Sequence, residues 1–348
     1  MTTLSANDAR RRGVNLKKKM NRGIMNSKKL NSGAPDSWFR SLIQTSNKQN
    51  TDAREVVLNA VISTWNDADI IGASVRNCFD QGCSRVFILD NASIDGSVAE
   101  ALKAGAETGE VYVTNIYDDD LRIRKQNKII KDITEKQKTR EMWWLALDAD
   151  EFPCRKGQTI IDMVSKLDRE IRTVGSDAID LYPTEGCLYE IGKHPAECFQ
   201  YGINRREAAG LYCVRGHYKH VLFRLDDGIF DIAQTRGNHT LACMDKKPIF
   251  ESRESMTLFH SPYRRYQETS ARLNLLCGGY AVSRRSKIDD QVTGDNGSIK
   301  RWKTLKHVYA GEWDRVEMPH TQLYGRPVVG IALYPWRVLA PGLAGMFR

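Results

Sequence analysis

No stretch of this 348-residue chain reaches the roughly 18 uncharged apolar positions that a membrane-spanning helix needs. The nearest approach, "PVVGIALYPWRVLAPGLAGMF" at 327–347, is broken by Pro335, Arg337 and Pro341. It is expected to lie on a surface or fill a groove rather than to span. The basic N-terminal stretch is followed by no apolar h-region, which argues against a secretory signal. No GxxxxGK[ST] loop is present, so a P-loop ATPase is excluded, and the lack of GxGxxG counts against a dinucleotide-binding dehydrogenase. The eight cysteines include no CxxC pair, and their scatter fits neither a zinc module nor a small disulfide framework. Reduced thiols in a cytoplasmic protein are the expectation. Internal repeats are absent.

A net charge of +9 suggests nucleic acid until the charge is located. Residues 1–50 carry eleven Lys and Arg against Asp8 and Asp36, which leaves 41 basic and 41 acidic residues in the other 298. The basicity therefore belongs to a tail and the body is neutral, which argues against nucleic acid as a partner. Rich in Asn, Ser and Gly and without an apolar period, 1–50 is expected to be disordered. It would act as a solubilising arm, or as a tether to anionic membrane or glycan at on the order of 1 kcal/mol per Lys or Arg near a charged bilayer.

What the sequence does have is a run ending in charge. "WWLALDADEF" (143–152) drives Trp, Leu and Ala toward three carboxylates: Asp148, Asp150 and Glu151. Upstream, strand and helix patterns alternate. "VVLNAVIST" (56–64), "RVFIL" (85–89), "EVYVTNI" (110–116) and "MWWLAL" (142–147) read as strands. Between them, "DADIIGASVRNCFDQG" forms an apolar helical face closed by Gly82, a second helix begins near Ser97, and 124–139 reads as an amphipathic helix. This order predicts an α/β fold with a doubly wound, mostly parallel sheet. Further on, 159–167 and 264–276 read as helices, 177–183, 220–225 and 255–260 as strands, and 184–218 as a loop-rich lining. The expected domains are a nucleotide half at 51–155, an acceptor half at 156–280 and an extension at 281–348.

In parallel sheets ligands bind beyond the carboxyl ends of strands, where both acidic clusters, Asp90–Asp95 and Asp148–Glu151, fall. Two carboxylates one residue apart at such an end suit a hard divalent cation, Mn²⁺ or Mg²⁺, with positions left for diphosphate oxygens. An EF-hand is excluded because its sixth position would be Pro153. "DNASIDGS" (90–97) combines turn-forming side chains with Gly96 ahead of a helix whose N-terminus could face an anion or nucleoside.

Taken in order, "TWNDADII", "GCSRVFILDNASIDGS", "RIRKQN" and "WWLALDADEF" resemble the family-2 glycosyltransferases of GT-A fold, in the branch with "DN.S.DGS" and "LD.DEF" signatures. The resemblance covers 56–153 and continues more loosely to about 277 through "HVLFRLDDG", "GNHT" and "FHSPYRRYQ". It implies that Asp90 and its loop, with Asn91 and Asp95, contact the base and ribose of a nucleotide-sugar. Asp148 and Asp150 would hold the metal and the ribose–diphosphate. Asn66, Asp67, Arg122, Arg124, Lys125 and Gln126 sit where donor contacts fall, and Arg264 and Arg265 could hold phosphate through bidentate bonds. His260 is expected to complete the metal sphere with Asp148 and Asp150, with His239 its competitor. His217 and His220 lie in a strand context that argues against a paired site.

The chemistry implied is an inverting displacement from a nucleotide-diphosphate sugar, a UDP-sugar first among them, to a glycan or lipid-linked acceptor. Glu185 in "YPTEG" is the expected general base, with Glu190, Asp226 and Glu251 as alternatives. Two other readings remain open. One is a polyanion- or membrane-surface-binding protein, at the inner face of the membrane, with a degenerate body. The other is a nucleotidyltransferase, although "STWNDAD" is not its usual Gly-rich loop.

Overall fold

The structure is a computed structural model and describes residues 55–108, 119–137, 141–183, 189–204, 219–226, 229–235, 240–269 and 334–335. The basic tail, the expected strand at 110–116, Glu185, His217, His239 and most of 281–348 lie outside these residues.

Four strands make the first half of the sheet: β1 (Val56–Thr64), β2 (Arg85–Asp90), β3 (Glu107–Thr108) and β4 (Glu141–Asp148). All are parallel, in the order β3-β2-β1-β4. Helices cover both faces. On one side α1 (Ile71–Asp80), α2 (Ser97–Lys103) and α4 (Ile160–Val164) flank a core of Leu58, Ile62, Val86, Ile88, Trp143, Leu145 and Leu147. On the other, Ile129 and Ile130 of α3 (Asp119–Thr134) pack on Val61, Phe87, Leu89, Met142, Trp144 and Ala146. Alternate residues of each strand are thus buried on opposite faces, which is why the strands read as unbroken apolar runs. The expected doubly wound α/β architecture is present.

α3 starts five residues ahead of the expected helix and stops at Thr134. Leu121 packs into the core beneath it, whereas "EKQK" after Thr134 offers no apolar side chain to bury. Thr134 ends the helix by accepting Trp144 Nε1 at 3.1 Å.

Beyond β4 the sheet becomes mixed. β5 (Glu151–Cys154) turns back and pairs antiparallel with β12 (Met256–His260). The twelve-residue β6 (Ile171–Tyr182) takes β8 (Lys219–Leu225) and β7 (Tyr201–Asn204) antiparallel and β12 parallel. β8 lies between β6 and β4, antiparallel to both. A hairpin of β9 (Ile232–Gln234) and β10 (Leu241–Cys243) stands apart, while β11 (Phe250–Glu251) edges β6 and β13 (Tyr334–Pro335) edges β7. One sheet therefore runs through both expected halves. A short helix, α5 (Pro195–Cys198), begins at His194, whose Nδ1 accepts Ala196 N at 3.1 Å.

Gly82 shows why a glycine closes α1. Its φ is +90°, and a Cβ there would lie 2.1 Å from Cγ2 of Ile161. The described cysteines, Cys78, Cys83, Cys154, Cys198 and Cys243, are all free thiols. Among the described residues no helix is long and apolar enough to cross a membrane.

Candidate functional site

The carboxyl ends of β1, β2 and β4 lie side by side: Thr64 pairs with Asp90 and Ser63 with Asp148. Two loops follow, and they are laced together. Asn66 N donates to Ser93 Oγ at 2.9 Å, and Asn66 Oδ1 accepts Ile94 N at 2.9 Å. Asp67 N donates to Ser97 Oγ at 2.8 Å, and Ala68 N to Asp95 Oδ2 at 3.0 Å. Asp95 Oδ1 takes both the amide and the hydroxyl of Ser97. Asn66 and Asp95, expected to touch a donor, therefore spend their side chains on the loops themselves. Asn66 also adopts φ +55°, a region Asn tolerates better than most side chains.

Asp90 differs. It is buried, its Oδ2 accepts Ser93 N at 3.1 Å, and its Oδ1 has no hydrogen-bond partner among the described residues. Asn91 beside it is also buried, with an unpartnered Oδ1. Unsatisfied buried acceptors are costly and so call for an explanation. Their position at a strand end is consistent with donors arriving from a ligand.

Asp148 ends β4 between two cations. Its Oδ1 accepts Arg122 Nη1 at 3.0 Å, and its Oδ2 lies 3.2 Å from Lys219 Nζ. Lys219 also bonds Glu151 Oε1, while Glu151 Oε2 accepts Asp148 N at 3.1 Å. Burial alone would raise the Asp148 carboxyl, but Lys219 and Arg122 outweigh it and hold the group well below the usual carboxylate range. For the fully enclosed Glu151 the balance tips the other way: burial raises its carboxyl, with Lys219 opposing and Asp148 adding to the rise. Beneath, Ser63 Oγ bonds Gln126 Oε1 and accepts Arg122 Nη1, both at 3.2 Å. Arg122 and Gln126, one turn apart on α3, are the expected basic-segment residues that reach this site. Arg124 is exposed and Lys125 half-buried.

Asp150 faces the end of β12. Its Oδ1 lies 3.6 Å from His260 Nε2, and His260 Nδ1 lies 2.7 Å from Asp180 Oδ1. Strand register sets this up, since His260 pairs with Glu151 on one side and with Asp180 on the other. Ser261 N also donates to Asp150 O at 2.9 Å. Arg264 is buried and forks onto Asp67 Oδ1 at 2.9 Å and Asp69 Oδ2 at 2.8 Å, with Nη1 4.0 Å from Asp150 Oδ2. Burial opposes its charge, yet Asp69, Asp67 and Asp150 more than compensate and raise its pKa further. The neighbouring Arg265 instead lies 3.6 Å from Glu268.

Asp150 and His260 suit a divalent cation. A ligating histidine is characteristically held through its other nitrogen by a carboxylate, and Asp180 supplies one. Asp148 is a poorer donor because both its oxygens already face cations. Among the described residues no three His, Cys, Asp or Glu groups stand together as a metal cluster. Of the expected set of Asp148, Asp150 and His260, Asp150 and His260 face each other, while Asp148 is engaged by Arg122 and Lys219 and also feels His260.

Of the alternative bases, Asp226 and Glu251 are misplaced. Asp226 follows Leu225, which pairs with Met142 at the amino end of β4, and Glu251 pairs with Thr173 near the start of β6. Glu190 is exposed and bound to Lys193 at 2.6 Å. His220 Nε2 lies 3.3 Å from Glu251, in no histidine pair among the described residues. Sequence reading missed Lys219, Asp180 and Asp69. Lys219 at the head of an apolar strand, and Asp180 as a buried charge inside one, were the only signals for the first two.

No family model matches the chain, and no curated protein does. Solved structures do. Glucosyl-3-phosphoglycerate synthase of Mycobacterium tuberculosis, in complex with Mn²⁺, UDP and glucosyl-3-phosphoglycerate, is 12% identical, with TM-score 0.24 over 35% of this chain and 44% of that one. Another complex of that enzyme, with Mn²⁺, UDP-glucose and phosphoglyceric acid, is 11% identical with TM-score 0.27, over 49% and 57%. Mannosyl-3-phosphoglycerate synthase of Rubrobacter xylanophilus is 16% identical with TM-score 0.24, over 35% and 40%. The matched part spans 40% to 57% of these structures.

Proposed function

We propose that the protein is a glycosyltransferase of GT-A type that uses a nucleotide-diphosphate sugar and Mn²⁺ or Mg²⁺. The observation that supports this most is the pairing of Asp150 Oδ1 with His260 Nε2, 3.6 Å apart at the carboxyl edge of the sheet and braced by Asp180. Asp150 and His260 would hold the ion. When bound, the ion neutralises charge that develops on the departing diphosphate.

The chain's own groups supply the rest. The unpartnered oxygens of Asp90 and Asn91 would accept hydrogen bonds from the base or ribose. Asp148, fixed by Arg122 and Lys219, presents an ionised edge for a hydroxyl of the donor. Arg264 ties the segment after β12 to the loop after β1, which closes the site on a third side. Glu185 is proposed as the base that takes the acceptor's proton. It follows, three residues on, the end of β6, the strand that brings Asp180 to His260.

The test is metal-dependent hydrolysis and binding across UDP-, GDP-, CMP- and dTDP-sugars, with Asp150→Asn and His260→Ala alongside. Selective turnover lost in both variants is expected. Wild-type protein that neither binds nor turns over any of these donors would remove the proposal.

A further inference from the structure

Lys219 is the first residue of β8, and its position follows from register. Leu145 of β4 pairs with Leu222 of β8, the last pair of the two strands, and three residues beyond it on each strand the side chains of Asp148 and Lys219 meet at 3.2 Å. Phe223 and Leu225 pack on the α3 face, and at the head of the strand Lys219 meets Asp148, which Arg122 of α3 also binds. The lysine side chain is only 5% exposed, and its ammonium bridges Asp148 Oδ2 and the enclosed Glu151 Oε1. A buried cation with two carboxylate partners is expensive to hold unless its geometry matters.

We infer that Lys219 is a positioning residue that withholds Asp148 from a divalent cation, so that the ion is held by Asp150 and His260 alone and remains exchangeable. This rests on the proposed metal-dependent reading of the same site. Asp148 Oδ1 is held by Arg122 and Oδ2 by Lys219, so each oxygen already gives one lone pair to a cation and is fixed in direction by a charge-assisted bond, which weakens it as a metal donor. The ammonium also adds positive charge at both ends of the Asp148–Glu151 turn that carries Asp150. The turn from Asp148 to Glu151 is pinned at both ends by the same cation, which keeps Asp150 aimed at His260. A metal bound by two protein ligands leaves more positions for diphosphate oxygens than one bound by three.

The test is Mn²⁺ titration of the full chain, read by the electron paramagnetic resonance of free and bound ion. Lys219→Met releases Asp148 and removes a nearby positive charge. Mn²⁺ affinity is then expected to rise on the order of tenfold or more. Lys219→Arg retains the charge and should stay near wild type. Lys219→Met/Glu151→Gln removes the buried pair together, so it reads the same release of Asp148 if Lys219→Met alone does not fold. A lysine with only a packing role would leave affinity unchanged or lower it. Folded Lys219→Met, or the folded double variant, with Mn²⁺ affinity no higher than wild type overturns the inference. Wild-type protein that binds no Mn²⁺ overturns the metal reading beneath it as well.

Discussion

Asp180 holds His260 across two parallel strands, with Oδ1 2.7 Å from Nδ1. A proton on Nδ1 donated to Asp180 leaves the Nε2 lone pair turned toward Asp150. Asp180→Asn preserves shape and removes the charge that fixes this tautomer. Mn²⁺ affinity is expected to fall about 10–100-fold, with the circular dichroism spectrum unchanged. Mn²⁺ titration of the folded variant checks it.

Gly82→Ala tests the closure of α1. A non-glycine residue at φ +90° costs about 1–2 kcal/mol, and the contact with Ile161 adds overpacking of about 1–3 kcal/mol. Chemical denaturation should show the sum. In a Gly82→Ala/Ile161→Ala double mutant the two losses should fall short of additivity, because the second change relieves the clash.

Asn59 is 1% exposed on β1, and neither its Oδ1 nor its Nδ2 has a partner among the described residues. Leu has the same number of side-chain heavy atoms and no buried amide, at the cost of somewhat more bulk. Asn59→Leu is expected to stabilise the fold by about 1–2 kcal/mol, measured as a higher denaturation midpoint at constant slope.

His194 packs edge-on against Phe152 and Phe259, and burial lowers its pKa to about 3. The sign follows from the depressed value. The unfolded imidazole takes up a proton near pH 6.5 while the folded one resists to about 3, so stability present above pH 6.5 is lost as pH falls through that window. The loss should reach up to about 3 kcal/mol by pH 4. His194→Asn keeps an acceptor for Ala196 N and removes the titration, so its stability should vary less between pH 6.5 and 4.

The parallel half of the fold was legible because β1, β2 and β4 are buried on both faces and so written as continuous apolar runs. Asp90 and the Asp148–Glu151 cluster were legible because a run that stops on carboxylates can only stop at a strand end. Lys219, Asp180 and Asp69 were not. They join the site through antiparallel β8, long β6 and a fork from Arg264, which depend on pairing between strands far apart in the chain. Arg264 and Arg265 are adjacent, and only tertiary packing turns the first inward. Arg122 lay outside the expected helix at 124–139, and only the earlier start of α3 puts it with Gln126 on the face of Ile129 and Ile130, apart from Arg124.

The central claim is that Asp150 and His260 form the seat of a metal-bound nucleotide diphosphate. The most direct measurement is calorimetric titration of UDP, and of the diphosphate of whichever donor is turned over, with Mn²⁺ and with chelator, in wild type and His260→Ala. Binding that requires Mn²⁺ in the wild type and vanishes in His260→Ala is predicted. Diphosphate binding that is the same with Mn²⁺ and with chelator, and unaltered by His260→Ala, would contradict the account.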